Sequence, residues 1–261
     1  MQKTERDMIK LLCSDIDNTL LKKDGGAGDS VLKRLKTKGI LPMLATGRSV
    51  ADVFAIFRES RENTVVASLD GGLVLIGDSV LVDRPVDGNI VRAFFDGFVR
   101  TGPMGCAAIF YTAADCYVTD ESAEKMMRAQ NSMQGRVKRI SDPRDIPSPV
   151  YKISVYSETE KDFDYLFADW ENYMNCVYRK DHWCEFVSAG TDKGTALSLV
   201  MEKFMINRDE VIAFGDGEND FTMLETAGCS YAVEGSPAHR EGKADFVTKD
   251  AVRTIEELLL K

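Results

Sequence analysis

Short, mostly apolar runs recur along this chain, and each empties into a small polar turn. Ile9–Ser14 opens into Asp15-Ile16-Asp17, Ile40–Ala45 into Thr46-Gly47-Arg48, Thr64–Leu69 into Asp70-Gly71-Gly72, and Val211–Phe214 into Gly215-Asp216. Runs this short that do not alternate with polar residues suit strands buried on both faces, the condition of a parallel sheet wrapped in helices. Between them lie helical stretches. Ser30–Lys38 is stopped by Gly39, and Val50–Ser60 carries Val50, Val53, Phe54 and Phe57 at helical spacing. The strand–helix–strand order predicts an α/β fold with a doubly wound, Rossmann-like parallel sheet. Pro42 weakens the second strand, because proline cannot donate to a ladder.

The pattern breaks after Leu69 and returns at Lys193. Leu73–Ile76 and Val80–Val82 flank Gly77-Asp78-Ser79 and predict a hairpin. Helices are expected at Asn89–Arg100, Ser122–Met133 and Asp162–Tyr173. Strands are expected at Cys106–Thr112, Cys116–Thr119, Val150–Tyr156 and as a pair within Cys176–Val187. This middle block has antiparallel α+β character. From Lys193 the alternation resumes, with helices at Gly194–Phe204, Phe221–Thr226, Ser236–Lys243 and Val252–Leu260 around strands at Val211–Phe214, Ser230–Val233 and Phe246–Thr248. The reading is a sheet domain at 1–76 and 187–261, interrupted by an inserted α+β domain at 77–186. Gly25-Gly26-Ala27-Gly28 is the most flexible stretch by composition.

With 33 basic against 42 acidic residues the net charge is −9, which repels phosphate backbones and argues against nucleic acid or anionic membranes as partners. No apolar run reaches the roughly 18 residues of a membrane span. Met1–Lys10 lacks the apolar stretch of a secretory signal. The six cysteines are scattered without a CxxC pair and read as reduced thiols, so a cytoplasmic location is expected. Only two histidines, His182 and His239, are present, a poor basis for a histidine-rich metal site or triad.

Asp15 and Asp17 follow the first strand. In extended backbone, residues two apart point to the same side. Both carboxylates can then face one site at the carboxyl edge of the sheet, where open α/β sheets bind ligands. Such a pair can hold a hard cation such as Mg²⁺, or one member can attack phosphorus while the other handles a proton. Taken alone, the pair reads equally well as a loop edge or a helix cap. Asp216 and Asp220 form a second acidic cluster after the Val211–Phe214 strand, with Asn219 between them. Alone it is an ordinary Gly/Asn/Asp turn. Together, four carboxylates at strand ends would repel one another without a cation. Thr46 offers a hydroxyl and a backbone N–H to a phosphate oxygen, and Gly47 permits close approach. Lys193 can neutralise both a phosphate and Asp15. Each of these, singly, is also a plain strand-to-helix turn or a solvent lysine.

As an ordered set spanning nearly the whole chain, these segments resemble the haloacid dehalogenase (HAD) superfamily of phosphohydrolases, and the long insert between the Thr46 and Lys193 segments is similar to the α+β cap of its Cof-type branch. The resemblance implies a Mg²⁺-dependent phosphatase acting on sugar phosphates or phosphorylated cofactors. It implies Asp15 as nucleophile, Asp17 as general acid/base, and Thr46, Gly47 and Lys193 as phosphate binders. It places the metal on Asp15, Asp216, the main-chain carbonyl of Asp17 and, directly or through water, Asp220, with Ser14 and Asn219 in support. Two positions depart from the branch. Asn18 stands where glycine is common, and Asp70-Gly71 stands where an Asn-Gly pair is usual near the substrate. Asp70 is expected to disfavour a second anionic group nearby, or only to make the turn. Arg48, Asp70, Gly71, His182, Trp183 and Glu185 are the candidates for substrate contact, the last three near the exit of the insert. Two other functions stand beside the phosphatase: a phosphomutase, and a non-catalytic phospho-ligand regulator.

Overall fold

The computed structural model describes residues 9–21, 28–101, 106–129, 136–157, 168–180 and 182–260. The chain first lays down β1 (Leu11–Ser14), α1 (Gly28–Thr37), β2 (Leu41–Ala45), α2 (Val50–Ile56) and β3 (Val65–Ser68), then turns back through β4 (Leu73–Ile76) and β5 (Ser79–Asp83). The middle runs α3 (Gly88–Thr101), β6 (Ala107–Tyr111), β7 (Cys116–Val118), α4 (Glu121–Ala129), β8 (Val137–Arg139), β9 (Lys152–Tyr156), β10 (Met174–Lys180) and β11 (Trp183–Ser188). The chain finishes with α5 (Lys193–Phe204), β12 (Val211–Gly215), α6 (Phe221–Thr226), β13 (Cys229–Val233), α7 (Pro237–Arg240), β14 (Phe246–Thr248) and α8 (Ala251–Leu259).

Eight strands form one sheet in the order β14-β13-β12-β1-β2-β3-β4-β5. The six from β14 to β3 are parallel, and β4 and β5 extend the edge antiparallel. Strand pleating splits β1 between two cores. Leu11 and Cys13 pack with Leu197 and Val200 of α5 and Met223 of α6. Leu12 points the other way, toward Leu32 and Leu35 of α1, Val53 of α2 and Ile255 of α8. Both faces are dry, so apolar residues are needed at successive positions rather than alternate ones. This is the doubly wound sheet expected from the sequence. Pro42 fits without loss. Leu41 donates its N–H to Lys10 on the β1 side, so the Pro42 nitrogen faces β3, which pairs only from Met43 onward.

The second sheet runs β10-β11-β9-β6-β7-β8, antiparallel except for the β7–β8 pair. Phe94, Phe95 and Phe98 of α3 cover one face, against Phe110, Ile153 and Phe186. Strand β8 escapes the sequence reading because only Val137 of its three residues is buried. The hairpin at Gly77, whose φ of 57° suits a tight turn, keeps residues 79–83 hydrogen-bonded to β4 in the larger sheet, although the sequence reading placed them in the insert. The chain leaves that sheet at Arg84 and returns at Gly190, and the Arg84 guanidinium donates to the Gly190 carbonyl at 3.1 Å. The glycine-rich residues 25–27 and the expected helical residues 130–133 and 162–167 lie outside the described residues. No helix among the described residues is long and apolar enough to cross a membrane.

Candidate active site

Strand β1 ends at Ser14, and the Asp15 N–H continues its ladder by donating to the Phe214 carbonyl at 2.9 Å. This sets the Asp15 carboxylate, only 6% exposed, at the carboxyl edge of the sheet. Lys193, the first residue of α5, is buried beside it and donates to Asp15 Oδ1 at 2.8 Å and to Asp220 Oδ1 at 2.6 Å. The other oxygen of Asp220 accepts the N–H groups of Asp216 and Gly217, each at 2.8 Å, which curls the loop after β12 around it. Gly215 is required there, since a Cβ would lie 2.7 Å from that of Asp220. Asp216 accepts from the Thr19 hydroxyl at 3.2 Å.

Oxygen atoms of Asp15, Asp216 and Asp220 all lie within 4.8 Å of one another. Three carboxylates thus crowd around one ammonium, which bonds two of them, Asp15 and Asp220. Burial, reinforced by Asp220 and Asp216 against the pull of Lys193, raises the Asp15 carboxyl well above the usual carboxylate range. Burial and Asp220 push Asp216 up to about 6. Burial alone would lower the Lys193 ammonium, but Asp15 and Asp220 overcome it and hold the group charged. The donor set is all oxygen, with no thiolate or imidazole, and it carries surplus negative charge. It fits a hard divalent cation such as Mg²⁺, which these carboxylates could coordinate.

Asp17 stands apart from that trio. Its carboxylate is about half exposed and is gripped two-point by Arg48, at 2.7 and 2.6 Å. That bond raises the Arg48 guanidinium above its ordinary value. Asn18 has φ +57°, a left-handed conformation that asparagine tolerates better than most non-glycine residues, so it can stand where glycine is common. Ser14 turns its hydroxyl onto the Asp15 carbonyl rather than toward a ligand.

The Thr46 backbone N–H, expected to meet a phosphate oxygen, is instead engaged with the Ala67 carbonyl at 2.9 Å; the hydroxyl accepts from the Arg48 N–H at 3.2 Å. Segment 46–48 is held from below by a left-handed turn, in which Leu69, Asp70 and Gly71 have φ of 51°, 55° and 94°. Leu69 and Asp70 donate from that turn to the carbonyls of Arg48 and Thr46. Gly71, expected near substrate, packs on α5 instead, where a Cβ would lie 2.5 Å from the Asp192 carbonyl oxygen. Asp70 is fully buried and accepts from Asn219 at 2.9 Å and from Lys152 at 3.3 Å. It does not line the cavity, and its charge is matched, so the expected repulsion of a second anion is not its role.

A cavity of about 710 Å³ separates the two sheets, lined by Asp15, Asp17 and Thr46 from below and by Lys152, Tyr178 and Glu185 from above. Gly47, Arg48, Asp216 and Asn219 also border it. Lys152 was not singled out in the sequence, although a lone lysine inside the apolar strand Val150–Tyr156 is the signal that could have found it. It is 4% exposed and donates to the Gly47 carbonyl at 3.0 Å and to Glu185 at 3.0 Å as well as to Asp70. Burial would lower this ammonium, but Glu185 and Asp70 outweigh it and raise it. Arg136–Asp52 and Lys180–Glu218 complete a set of three pairs that set a cation of the smaller sheet's body on a carboxylate of the larger one's. Trp183 lines a smaller chamber opening off the main one. His182 sits exposed at the β10–β11 turn with its ring 6.0 Å from that of Tyr156, and lines neither chamber.

The sequence profile of the haloacid dehalogenase-like hydrolases matches residues 12–253. A Streptococcus pyogenes protein whose name pairs a phosphatase with a peptidyl-prolyl cis-trans isomerase is 28% identical over 92% of this chain and 51% of its own length, so the chain spans about half of that relative. A phosphoglycolate phosphatase of Thermoplasma volcanium is 24% identical over 84% of this chain and 82% of its own. A crystal structure from Eubacterium rectale superposes with a TM-score of 0.83 at 26% identity, covering 97% of this chain and 100% of that one.

Proposed function

The chain belongs to the haloacid dehalogenase-like hydrolases, and on that premise we propose that it is a cytoplasmic, Mg²⁺-dependent phosphatase of the Cof-type branch acting on small phosphorylated metabolites. The observation that carries this reading is the Asp15 carboxylate, held by Lys193 at the floor of the cavity beside Asp216 and Asp220. The names of the relatives support the reaction class, and their differing substrates leave the ester open.

In this reading Asp15 attacks phosphorus in line. The bond to the leaving oxygen breaks, and an aspartyl-phosphate forms. Asp17, once its two-point bond to Arg48 opens so that it can carry a proton, gives that proton to the departing alkoxide and then takes one from the water that hydrolyses the intermediate. Lys193 and the Thr46 hydroxyl meet the phosphoryl oxygens, where electrostatic stabilisation does most of the work of phosphoryl transfer. A Mg²⁺ ion held by Asp15, Asp216 and the Asp17 carbonyl, with Asp220 in support, would neutralise charge on the same oxygens. Residues of about 84–188 form the cap that closes over the site and meets the leaving group.

A panel of phosphate esters with Mg²⁺, read as free phosphate, tests this. Turnover is expected for the wild type, and Asp15→Asn should abolish it while far-ultraviolet circular dichroism stays unchanged. An isomerised ester without free phosphate would mark a mutase. Retained turnover in Asp15→Asn would remove the nucleophile assignment.

A further inference from the structure

The smaller chamber, about 280 Å³, opens off the main cavity and is lined by Tyr111, Tyr178, Trp183, Glu185 and Asn219. Four of these border the main cavity too, so the two spaces are continuous. Three of the five are aromatic, and they come from three strands of one sheet face. Glu185 lies opposite Tyr178, and Trp183 opposite Lys180, in the β10–β11 register.

A β-bulge makes this arrangement. Cys176 pairs with Phe186, and both belong to the apolar core beneath α3. Without an irregularity, Tyr178, two residues on, would share that buried face. The register shifts between Cys176 and Tyr178, which brings Tyr178 opposite Glu185 and turns its ring into the cavity. A bulge beside a site commonly re-aims a side chain in this way.

The polar groups of the chamber set its charge. Glu185 accepts from Lys152 at 3.0 Å and from the Ser154 hydroxyl at 3.0 Å. Lys152 divides its bonds between Glu185 and Asp70 and does not line the chamber, whose one charged wall group is Glu185. The chamber therefore presents flat apolar faces and an acceptor carboxylate. A second carboxylate or phosphate on a ligand meets repulsion there. A ring, with hydroxyl or amino donors at its rim, meets stacking surface and an acceptor.

The geometry points to a leaving-group subsite for a neutral or donor-bearing ring, so that this enzyme takes ring-bearing phosphate esters and rejects esters of small hydroxy acids. This rests on the phosphatase reading and narrows it. Tyr178 and Trp183 supply the ring contact, and Glu185 supplies the discrimination.

The test uses two phosphonates of equal reach that cannot be hydrolysed, 2-phenylethylphosphonate and 3-phosphonopropionate, titrated calorimetrically into the wild-type protein with Mg²⁺. The ring compound is expected to bind at least tenfold more tightly. Trp183→Ala and Tyr178→Ala should each shrink that ratio severalfold, and Trp183→Phe should restore most of it. Glu185→Gln should narrow the ratio from the other side by improving 3-phosphonopropionate. Equal binding, tighter binding of the carboxylate compound, or a ratio that survives both alanine variants overturns the subsite and leaves the phosphatase reading standing. Failure of both phosphonates to bind overturns the two together.

Discussion

Lys152→Met is the most informative single change to stability that this molecule offers. Methionine keeps the length and apolar stem of lysine but removes the charge. The Asp70 carboxylate, 0% exposed, would lose the Lys152 bond and keep only Asn219, and Glu185, with its side chain 18% exposed, would keep only Ser154. Removing one partner of a buried ion pair costs about 3–5 kcal/mol, because the other charge is stranded. Glu185 can recover some hydration, so the low end, about 3 kcal/mol, is expected here. At an unfolding entropy of roughly 2 cal/mol/K per residue, a chain of this length loses about 0.5 kcal/mol per kelvin near its midpoint. The melting temperature should therefore fall by about 6 °C. Removing the stranded charge as well, in Lys152→Met/Asp70→Asn, should return about 1 kcal/mol or more, a coupling in the range seen for contacting groups. Differential scanning calorimetry of the wild type, both singles and the double closes the cycle. A Lys152→Met protein melting within about 1 °C of wild type, or a double variant no more stable than Lys152→Met, would refute the reasoning.

Three further outcomes are expected. Exhaustive chelation should abolish phosphate release and Mg²⁺ should restore it, since the acidic cluster offers only oxygen; undiminished activity in the stripped protein would rule the metal out. Burial pushes the Asp70 carboxyl up, yet Lys152, Lys193 and the Asn219 bond outweigh it and hold it below the usual range. A carboxylate lowered in the folded state contributes stability above its unfolded value of about 3.9 and loses it as pH falls through its folded value. The gap in urea midpoint between wild type and Asp70→Asn should thus hold steady from neutrality to about pH 5 and shrink below about pH 4; a gap that widens on acidification would contradict this. Asn18→Ala should cost about 1 kcal/mol through its left-handed φ, while Asn18→Gly should be close to neutral; equal melting of the two variants would show that the conformation carries no strain.

The parallel sheet was legible because burial on both faces leaves a local mark: apolar residues at successive positions, read without knowing any partner. The acidic positions were legible for a related reason, since a carboxylate directly after such a run has only the sheet edge to occupy. The misses share a cause as well. Lys152 matters through Asp70 and Glu185, contacts set by how the second sheet docks on the first, and no window of sequence contains that. Asp70 was read either as a group that repels a second anion near the substrate or as a turn former; its φ supports the turn, and its buried ion pair was out of view. Tyr178 faces the cavity only because of a register shift one residue earlier, and a strict two-residue period would have put it in the core. The Thr46 N–H was assigned to a ligand because its partner, the Ala67 carbonyl, belongs to a neighbouring strand.

The contact between Arg84 and Gly190 has a consequence for how such a chain can change over time. The inserted body leaves and rejoins the sheet through neighbouring points, so both of its ends are anchored on one spot of the scaffold. A replacement of any length need only have termini that lie close together, as most compact domains do. The entropic cost of closing the loop rises only slowly with its length, so a larger or smaller body is nearly as easy to accommodate. The scaffold works as a socket. A lineage can keep Asp15, Lys193 and Asp216 in place while trading the plug above them, and so acquire a new ester without re-threading a single strand.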